Sequence, residues 1–360
     1  QIYPVNPKYD EVSGVRCYRS VRDIEGDCDL AVLAVQAAAS PDAVRDCGAR
    51  GIPFAVVYGG GFRETGSEGA ARERALLAAA RAGGVRLIGP NCLGILNVPD
   101  SVYAAFGPMM REPRIAAGSV SLVSQSGGFG YSLALNCAAE GAGLRYIVTS
   151  GNEADIKTPE LIDYFLDDPA TSIVISYIEG ISDGRALMEL GLKAAALGKP
   201  LLVWKAGRRE QGSRAAASHT ASMTGRYEIY HAALEQSGII EVGGIAQTVD
   251  LVRALASRKP AQGCGIGLTG GSGGAAIVFA DTCDELGLKI PELAPATVDA
   301  LRAYVPDVCA RGNPVDYVGG WLDDPNADKF ANVVRLLLAD DRVNQLCIMF
   351  STAQGKPALN

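Results

Sequence analysis

From residue 30 onward, short runs of uninterrupted apolar residues alternate with longer stretches in which apolar and polar positions recur at helical spacing. Runs at 30–35 and 54–58, and the shorter Arg86-Leu87-Ile88, read as strands, and the stretches 42–50 and 69–82 between them read as helices. A strand that is apolar at every position has no face for water, so this βαβα order predicts a parallel sheet covered by helices on both sides. A connection at 108–118 follows, after which strands are predicted at 120–123, 144–149, 173–178 and 201–204, each leading into a glycine-bearing turn. A third series opens at 265–268 and ends in an apolar run at 346–350. The expected organisation is α/β throughout, with domains at 1–112, 113–260 and 261–360.

The third series repeats the second. Val123-Ser124-Gln125-Ser126-Gly127-Gly128 matches Leu268-Thr269-Gly270-Gly271-Ser272-Gly273-Gly274, in each case a strand, a glycine turn and a helix of small residues. Gly151-Asn152-Glu153-Ala154-Asp155 is paired with Gly312-Asn313-Pro314-Val315-Asp316, and Asp167-Asp168 with Asp340-Asp341, each before an apolar strand. The copies differ in chemistry. Glu179 lies eleven residues after Asp168, whereas Thr352 holds that place after Asp341, so the first copy carries the charge.

Composition narrows the class. The 360 residues are 48% hydrophobic and 20% charged, and no apolar run approaches the ~20 residues of a membrane-spanning helix. Lys plus Arg total 33 against 40 Asp plus Glu, a net charge of −7, with the basic residues scattered apart from Arg208-Arg209. Neither a membrane nor a nucleic acid is expected as a partner. The 9 cysteines form no CxxC pair and no cluster with histidine, which points to a reducing cytoplasm, no disulfide frame and no metal site. The 43 glycines exceed the usual ~7% and fit many tight strand-to-helix turns. Gln1-Ile2-Tyr3-Pro4-Val5-Asn6-Pro7 reads as a strand running into a loop without a helix cap, so the chain is expected to begin inside a domain; the polar tail after 346–350 reads as a second cut end.

A strand that ends in a glycine turn and opens a helix leaves N–H groups unpaired under the positive end of the helix dipole, which suits an anion. One such turn is better explained by close helix-to-strand packing. Two in paired domains, Ser124, Gln125, Ser126 and Gly127 in one and Gly271, Ser272 and Gly273 in the other, favour a shared anion. His219 lies in the small-residue run Ala215-Ala216-Ala217-Ser218-His219-Thr220-Ala221-Ser222, preceded by Lys205, Arg208, Arg209 and Arg214. A surface histidine is the bland alternative. With only 2 histidines in the chain, small neighbours that free the ring and cations that suit phosphate, the expectation is a nucleophile. His231, in an amphipathic stretch, reads as structural.

Gly89-Pro90-Asn91-Cys92-Leu93-Gly94 closes the last strand of the first domain at the carboxyl edge, where open α/β sheets bind ligands. A stiff turn over a buried thiol explains the same pattern equally well. Lys8 and Tyr58-Gly59-Gly60-Gly61-Phe62 occupy that edge too, which could hold a nucleotide.

The order Val5-Asn6-Pro7-Lys8, Gly89-Pro90-Asn91-Cys92-Leu93-Gly94, Ser124-Gln125-Ser126-Gly127-Gly128, Ile178-Glu179-Gly180 and Ser218-His219-Thr220 resembles the nucleoside-diphosphate-forming acyl-CoA synthetases, the superfamily of succinyl-CoA synthetase. The likeness covers nearly the whole chain, the first two units resembling its α part and the third the carboxy-terminal domain of its β part. The resemblance implies a Rossmann-like CoA-binding domain followed by two flavodoxin-like domains. It implies a phosphohistidine at His219, with Glu179 orienting or stabilising the imidazole and both glycine turns holding the phosphoryl group. Implied CoA contacts are Lys8, Val35, Gln36, Ala37 and Asn91, with Cys92 near the thiol or acyl end.

The implied reaction converts acid, CoA and nucleoside triphosphate into acyl-CoA, nucleoside diphosphate and phosphate. ATP or GTP with Mg would act through an ATP-grasp domain outside this chain, fused or as a separate subunit, and an oligomer is expected. The family's first strand and glycine-rich CoA loop would precede Gln1. The alternative is a non-catalytic CoA-sensing module that regulates a partner such as an acyltransferase. A dinucleotide dehydrogenase is disfavoured, because no GxGxxG is followed by an acidic ribose contact.

Overall fold

The structure, a computed structural model, describes residues 1–107, 110, 115–209, 211–212, 226–256, 261–316 and 327–349. It is α/β, and the chain divides into two compact units, Gln1–Arg258 and Lys259–Asn360.

The first unit opens with a small antiparallel pair, β1 (Glu11–Val12) and β2 (Val15–Arg16). Next come β3 (Leu30–Leu33), α1 (Ser40–Ala49), β4 (Phe54–Val57), α2 (Ser67–Gly83) and β5 (Arg86–Ile88), a parallel Rossmann-like sheet of order β3-β4-β5. The two helices touch through glycine: a Cβ on Gly48 would lie 2.6 Å from the Gly83 Cα. Pro41 in the first turn of α1 and left-handed Gly84 after α2 mark where these helices start and stop.

The chain continues through β6 (Gly94–Asn97), β7 (Val102–Ala105), β8 (Ala117–Ser124), α3 (Gly127–Ala139), β9 (Leu144–Thr149), α4 (Thr158–Asp167) and β10 (Ile173–Ile178). It then adds α5 (Gly184–Ala196), β11 (Leu201–Lys205), α6 (Tyr227–Gln236), β12 (Ile240–Glu241) and α7 (Ile245–Ala256). These strands form a seven-stranded sheet of order β12-β11-β10-β8-β9-β6-β7. β12 to β9 run parallel, whereas β6 is antiparallel to β9 and β7 to β6. Successive residues of the central strands point to opposite faces: Leu122 and Ile175 pack with Leu133 and Val252, and Val123 and Val174 pack with Ile162 and Leu187.

Residues 94–105, left inside the first domain by the sequence pattern, therefore hydrogen-bond into the second sheet. β6 alternates buried and half-buried positions, the signature of an antiparallel pair, and a search for uninterrupted apolar runs passes over it.

The second unit contains β13 (Ile266–Gly270), α8 (Gly273–Glu285), α9 (Pro295–Leu301), β14 (Val315–Asp316), α10 (Ala327–Leu338) and β15 (Gln345–Met349). Its strands are parallel in the order β14-β13-β15. β13 leads through a glycine turn into α8 as β8 leads into α3, and Asp168 and Asp340 stand before the corresponding strands β10 and β15. One sequence pairing is corrected. Gly151 follows β9 whereas Gly312 precedes β14, so the two Gly-Asn segments lie at opposite ends of corresponding strands. Shared letters had drawn them together without regard to the strand between them.

Among the described residues no helix is long and apolar enough to cross a membrane.

Candidate active site

β8 ends at Ser124 and passes through Gln125 and Ser126 into α3. Ser124 is fully buried; its hydroxyl donates to the Ser126 carbonyl at 2.6 Å, and its carbonyl accepts from the Ser150 N–H at 2.8 Å. Ser126 stands at the cap position in extended conformation, but its side chain makes no capping bond, so the first N–H groups of α3 open onto the sheet edge without one. A Cβ on Gly130 would lie 2.5 Å from Ser124 Cβ, and one on Gly127 2.5 Å from Leu93 Cγ, so both glycines serve packing. The turn before α8 differs from its counterpart. Ser272 caps its own helix, accepting from the Ala275 N–H at 3.4 Å, and a Cβ on Gly273 would lie 3.3 Å from Asp316 Oδ2. Gly271 is exposed.

Glu179 follows β10 at the same edge as the α3 turn and is 7% exposed. The Glu179 and Gly180 N–H groups both donate to Gln125 Oε1, at 2.6 and 3.1 Å, and Gln125 Nε2 donates to the Gly180 carbonyl at 2.7 Å. Lys205, the last residue of β11, donates to the Glu179 and Ala206 carbonyls at 2.8 and 2.5 Å. Burial pulls the Lys205 ammonium down, while the Glu179 charge pushes it back up. Burial first, and Glu179 second, lift the Tyr177 phenol to about 12.

His219 lies outside the described residues, as does Arg214. Of the other cations expected to meet phosphate, two are already engaged. Lys205 serves the carbonyls just named, and Arg208 pairs with Glu241 at 3.1 Å and faces the Tyr227 ring at 5.8 Å. Arg209 is exposed. His231 Nδ1 lies 2.7 Å from Glu241 and its ring stacks on Tyr227, a structural pairing.

At the carboxyl edge of the Rossmann-like sheet, Val35, Gln36 and Asn91 are exposed and Ala37 is buried, and Lys8 is exposed in the segment before β1. Asn91 adopts a left-handed φ of 59°, which turns it outward and the next residue inward. Cys92 is 3% exposed, its thiol donates to the Val57 carbonyl at 3.5 Å, and burial pushes it up to about 12. Cys92 is thus a buried thiol, as the stiff-turn reading of this segment expects. The glycine loop after β4 is also internally satisfied, since Glu64 Oε1 accepts from the Gly61 and Phe62 N–H groups at 2.6 and 3.1 Å. Burial pushes the Glu64 carboxyl up, but hydrogen bonds from Asn152, Gly61 and Phe62 outweigh it and hold it below the usual range.

The two edges meet at residues 150–156. The Asn152 N–H donates to the Pro90 carbonyl at 2.9 Å, its Nδ2 donates to Glu64 at 2.6 Å and Glu73 at 3.0 Å, and its Oδ1 accepts from Asn91 at 3.3 Å. A side chain on Gly151 would overlap the Pro90 and Asn91 carbonyls. The sequence reading named Lys205 only as a cation for phosphate and Asn152 only within the repeat, and missed that they hold Glu179 and the two edges. The signal present was a polar residue in a glycine turn and a lysine closing an apolar strand.

An exposed edge of a Rossmann-like sheet is thus joined through Asn152 to the uncapped helix start of the neighbouring seven-stranded sheet. Residues 1–98 match the family model for a CoA binding domain, 117–255 the succinyl-CoA ligase like flavodoxin domain, and 266–358 the ligase-CoA domain. The chain belongs to the nucleoside-diphosphate-forming acyl-CoA synthetases. It is 35% identical over 346 residues to the acetate–CoA ligase [ADP-forming] II subunit alpha of Pyrococcus furiosus, covering 96% of this chain and 73% of that one. Over 354 residues it is 37% identical to the acetate–CoA ligase [ADP-forming] I of Archaeoglobus fulgidus, 98% of this chain and 50% of the relative. It thus spans about half the length of that protein. Among solved structures, the dinucleotide forming acetyl-coenzyme A synthetase 1 of Ca. Korarchaeum cryptofilum, in complex with phosphate and ADP, superposes with a TM-score of 0.88 at 34% identity, covering 98% of this chain and 74% of that one.

Proposed function

We propose that this chain is the acid-thiol ligase part of an acyl-CoA synthetase that turns acid, CoA and nucleoside triphosphate into acyl-CoA, nucleoside diphosphate and phosphate. The observation that carries the reading is Gln125, which stands at the start of α3 and bonds both Glu179 and Gly180, so that a buried carboxylate and an uncapped helix start share one edge. Relatives named as ADP-forming acetate–CoA ligases over 96% and 98% of the chain support it.

In the synthetic direction His219 carries the phosphoryl group. An oxygen of the acid's carboxylate attacks phosphorus, the N–P bond breaks, and the acyl phosphate forms against Ser124, Gln125, Ser126 and Gly127. The CoA thiolate, lying along Lys8, Val35, Gln36, Ala37 and Asn91, adds to the acyl carbon, and phosphate departs with the electrons of the broken C–O bond. Glu179 accepts a hydrogen bond from one imidazole nitrogen and leaves the other free for phosphorus. Gly271, Ser272 and Gly273 form a second phosphate-binding turn. Domains at 1–112, 113–260 and 261–360 divide these tasks. ATP or GTP with Mg phosphorylates His219 through an ATP-grasp domain outside this chain, fused or in a partner subunit, within a cytoplasmic oligomer.

The test is to incubate the complete enzyme with acyl-CoA and labelled phosphate. Acid-labile, base-stable label is expected on the peptide around His219, absent in His219→Asn, retained in His231→Asn and slowed in a folded Glu179→Gln. Label at His231 alone, or normal turnover by His219→Asn, overturns the reading.

A further inference from the structure

Lys205 is 1% exposed, among the largest fully buried side chains of the described chain. Burying an ammonium strips its hydration, and lysine is rarely found so deep without partners. Here the cost is offset. Nζ donates to the Glu179 and Ala206 carbonyls, and it lies 4.7 Å from the centroid of the Tyr230 ring. Its stem extends the apolar run Leu201-Leu202-Val203-Trp204. An uncharged side chain of the same length would pack there without the desolvation penalty, so packing alone does not account for the charge.

What Lys205 touches does. One contact is the peptide of Glu179, whose N–H is already held by Gln125. Another is Tyr230 in the first turn of α6, the helix that follows residues 213–225 in the sequence, and the Tyr230 hydroxyl accepts from the Ile181 N–H at 3.4 Å. Residues 178–181 are thereby pinned from the α3 turn by Gln125, from β11 by Lys205 and from α6 by Tyr230.

We infer that Lys205 is a positioning residue for phosphoryl transfer, aiming Glu179 and tying its turn to the helix that follows the His219 segment. The inference rests on the ligase reading above. Lys205 acts through Glu179, so its contribution disappears once Glu179 can no longer serve.

The experiment follows label transfer from acyl-CoA and labelled phosphate to His219 in the complete enzyme, comparing Lys205→Met, Glu179→Gln and the double variant. Methionine keeps the length and removes the charge. Lys205→Met is expected to slow phosphohistidine formation by about tenfold or more while leaving the KM for CoA within about twofold, and the double variant to be no slower than Glu179→Gln alone. A merely structural lysine would instead lower the thermal midpoint and multiply its effect onto that of Glu179→Gln. Wild-type rates in Lys205→Met, or multiplying effects in the double variant, overturn the inference. Should Lys205→Met fail to fold, Tyr230→Leu, which loosens the lysine from a half-buried position, is put through the same cycle with the same two outcomes. Absence of phosphohistidine in the wild-type enzyme would instead refute the ligase reading.

Discussion

Asn152 Nδ2 donates to Glu64 Oε2 at 2.6 Å, and this bond ties the Rossmann-like edge to the loop that follows β9. Asn152 is 8% exposed and also serves Glu73 and Asn91, while its neighbour Ser150 bonds the Ser124 carbonyl before α3. A ligand that moved Asn91 would pull on a path that runs through Asn152 and Ser150 to the turn before α3.

Asn152→Leu should therefore weaken both halves of the first unit. It removes the Asn152 donor from two carboxylates, and an unmet buried group costs about 1–3 kcal/mol. The expected outcome is a lower midpoint in thermal denaturation together with weaker CoA binding by calorimetry. Wild-type stability with wild-type CoA affinity would remove Asn152 from this role.

Asp168 and Asp340 occupy matching turns of the internal repeat, and both carboxyls are held below the usual carboxylate range. Burial pushes each of them up, but bonds from Arg145, Ala170 and Thr171 outweigh it at Asp168, and bonds from Ala294, Thr297 and Arg342 outweigh it at Asp340. A carboxyl whose folded value is depressed stabilises the fold above its ordinary value of 3.8 and loses that contribution as pH falls below it. Stability should decline on acidification in that window, and Asp168→Asn and Asp340→Asn should each flatten the decline in denaturant titrations across pH. An acid limb that neither substitution alters would contradict the assignment.

The thiols divide by exposure. Burial pushes Cys92 up to about 12 and Cys47 and Cys137 up to about 11, whereas Cys264 is exposed. Only thiolates alkylate readily, so iodoacetamide at about pH 8 should label Cys264 and spare Cys92, with turnover retained. Labelling of Cys92 that CoA prevents, accompanied by loss of turnover, would return it to the ligand edge.

The strands were legible where burial on both faces leaves an uninterrupted apolar run, as at Leu201-Leu202-Val203-Trp204 in β11. Residues 94–105 escaped because β6 alternates over only four residues and β7 has no fully buried position, which leaves neither distinguishable from a loop. Glu179 could be placed at a strand end by counting. The identity of its holders could not, because Lys205 turns back across 26 residues to the Glu179 carbonyl, a contact with no local signature. Cys92 was balanced between two readings because the sequence does not show that a left-handed Asn91 faces outward and leaves Cys92 buried.

Gly127 offers a test of how finely the start of α3 must be placed. Its backbone is ordinary helix, and in a helix interior alanine is favoured over glycine by about 1 kcal/mol, so Gly127→Ala carries no conformational penalty. The obstacle is one side chain: the new Cβ would lie 2.5 Å from Leu93 Cγ, so either Leu93 or the helix start must shift. If these N–H groups hold the acyl phosphate, a displacement approaching 1 Å costs on the order of a hundredfold in rate, and where the helix start is what gives way Asn91 keeps its place. Gly127→Ala is therefore expected to slow phosphohistidine formation from acyl-CoA and phosphate with CoA affinity preserved. Adding Leu93→Ala removes the opposing atoms and should recover much of the loss. Both quantities can be read from label transfer and calorimetry on the same preparations. Equal loss of CoA binding in a folded Gly127→Ala, or no recovery in the double variant, would show that the helix start is not the phosphate site.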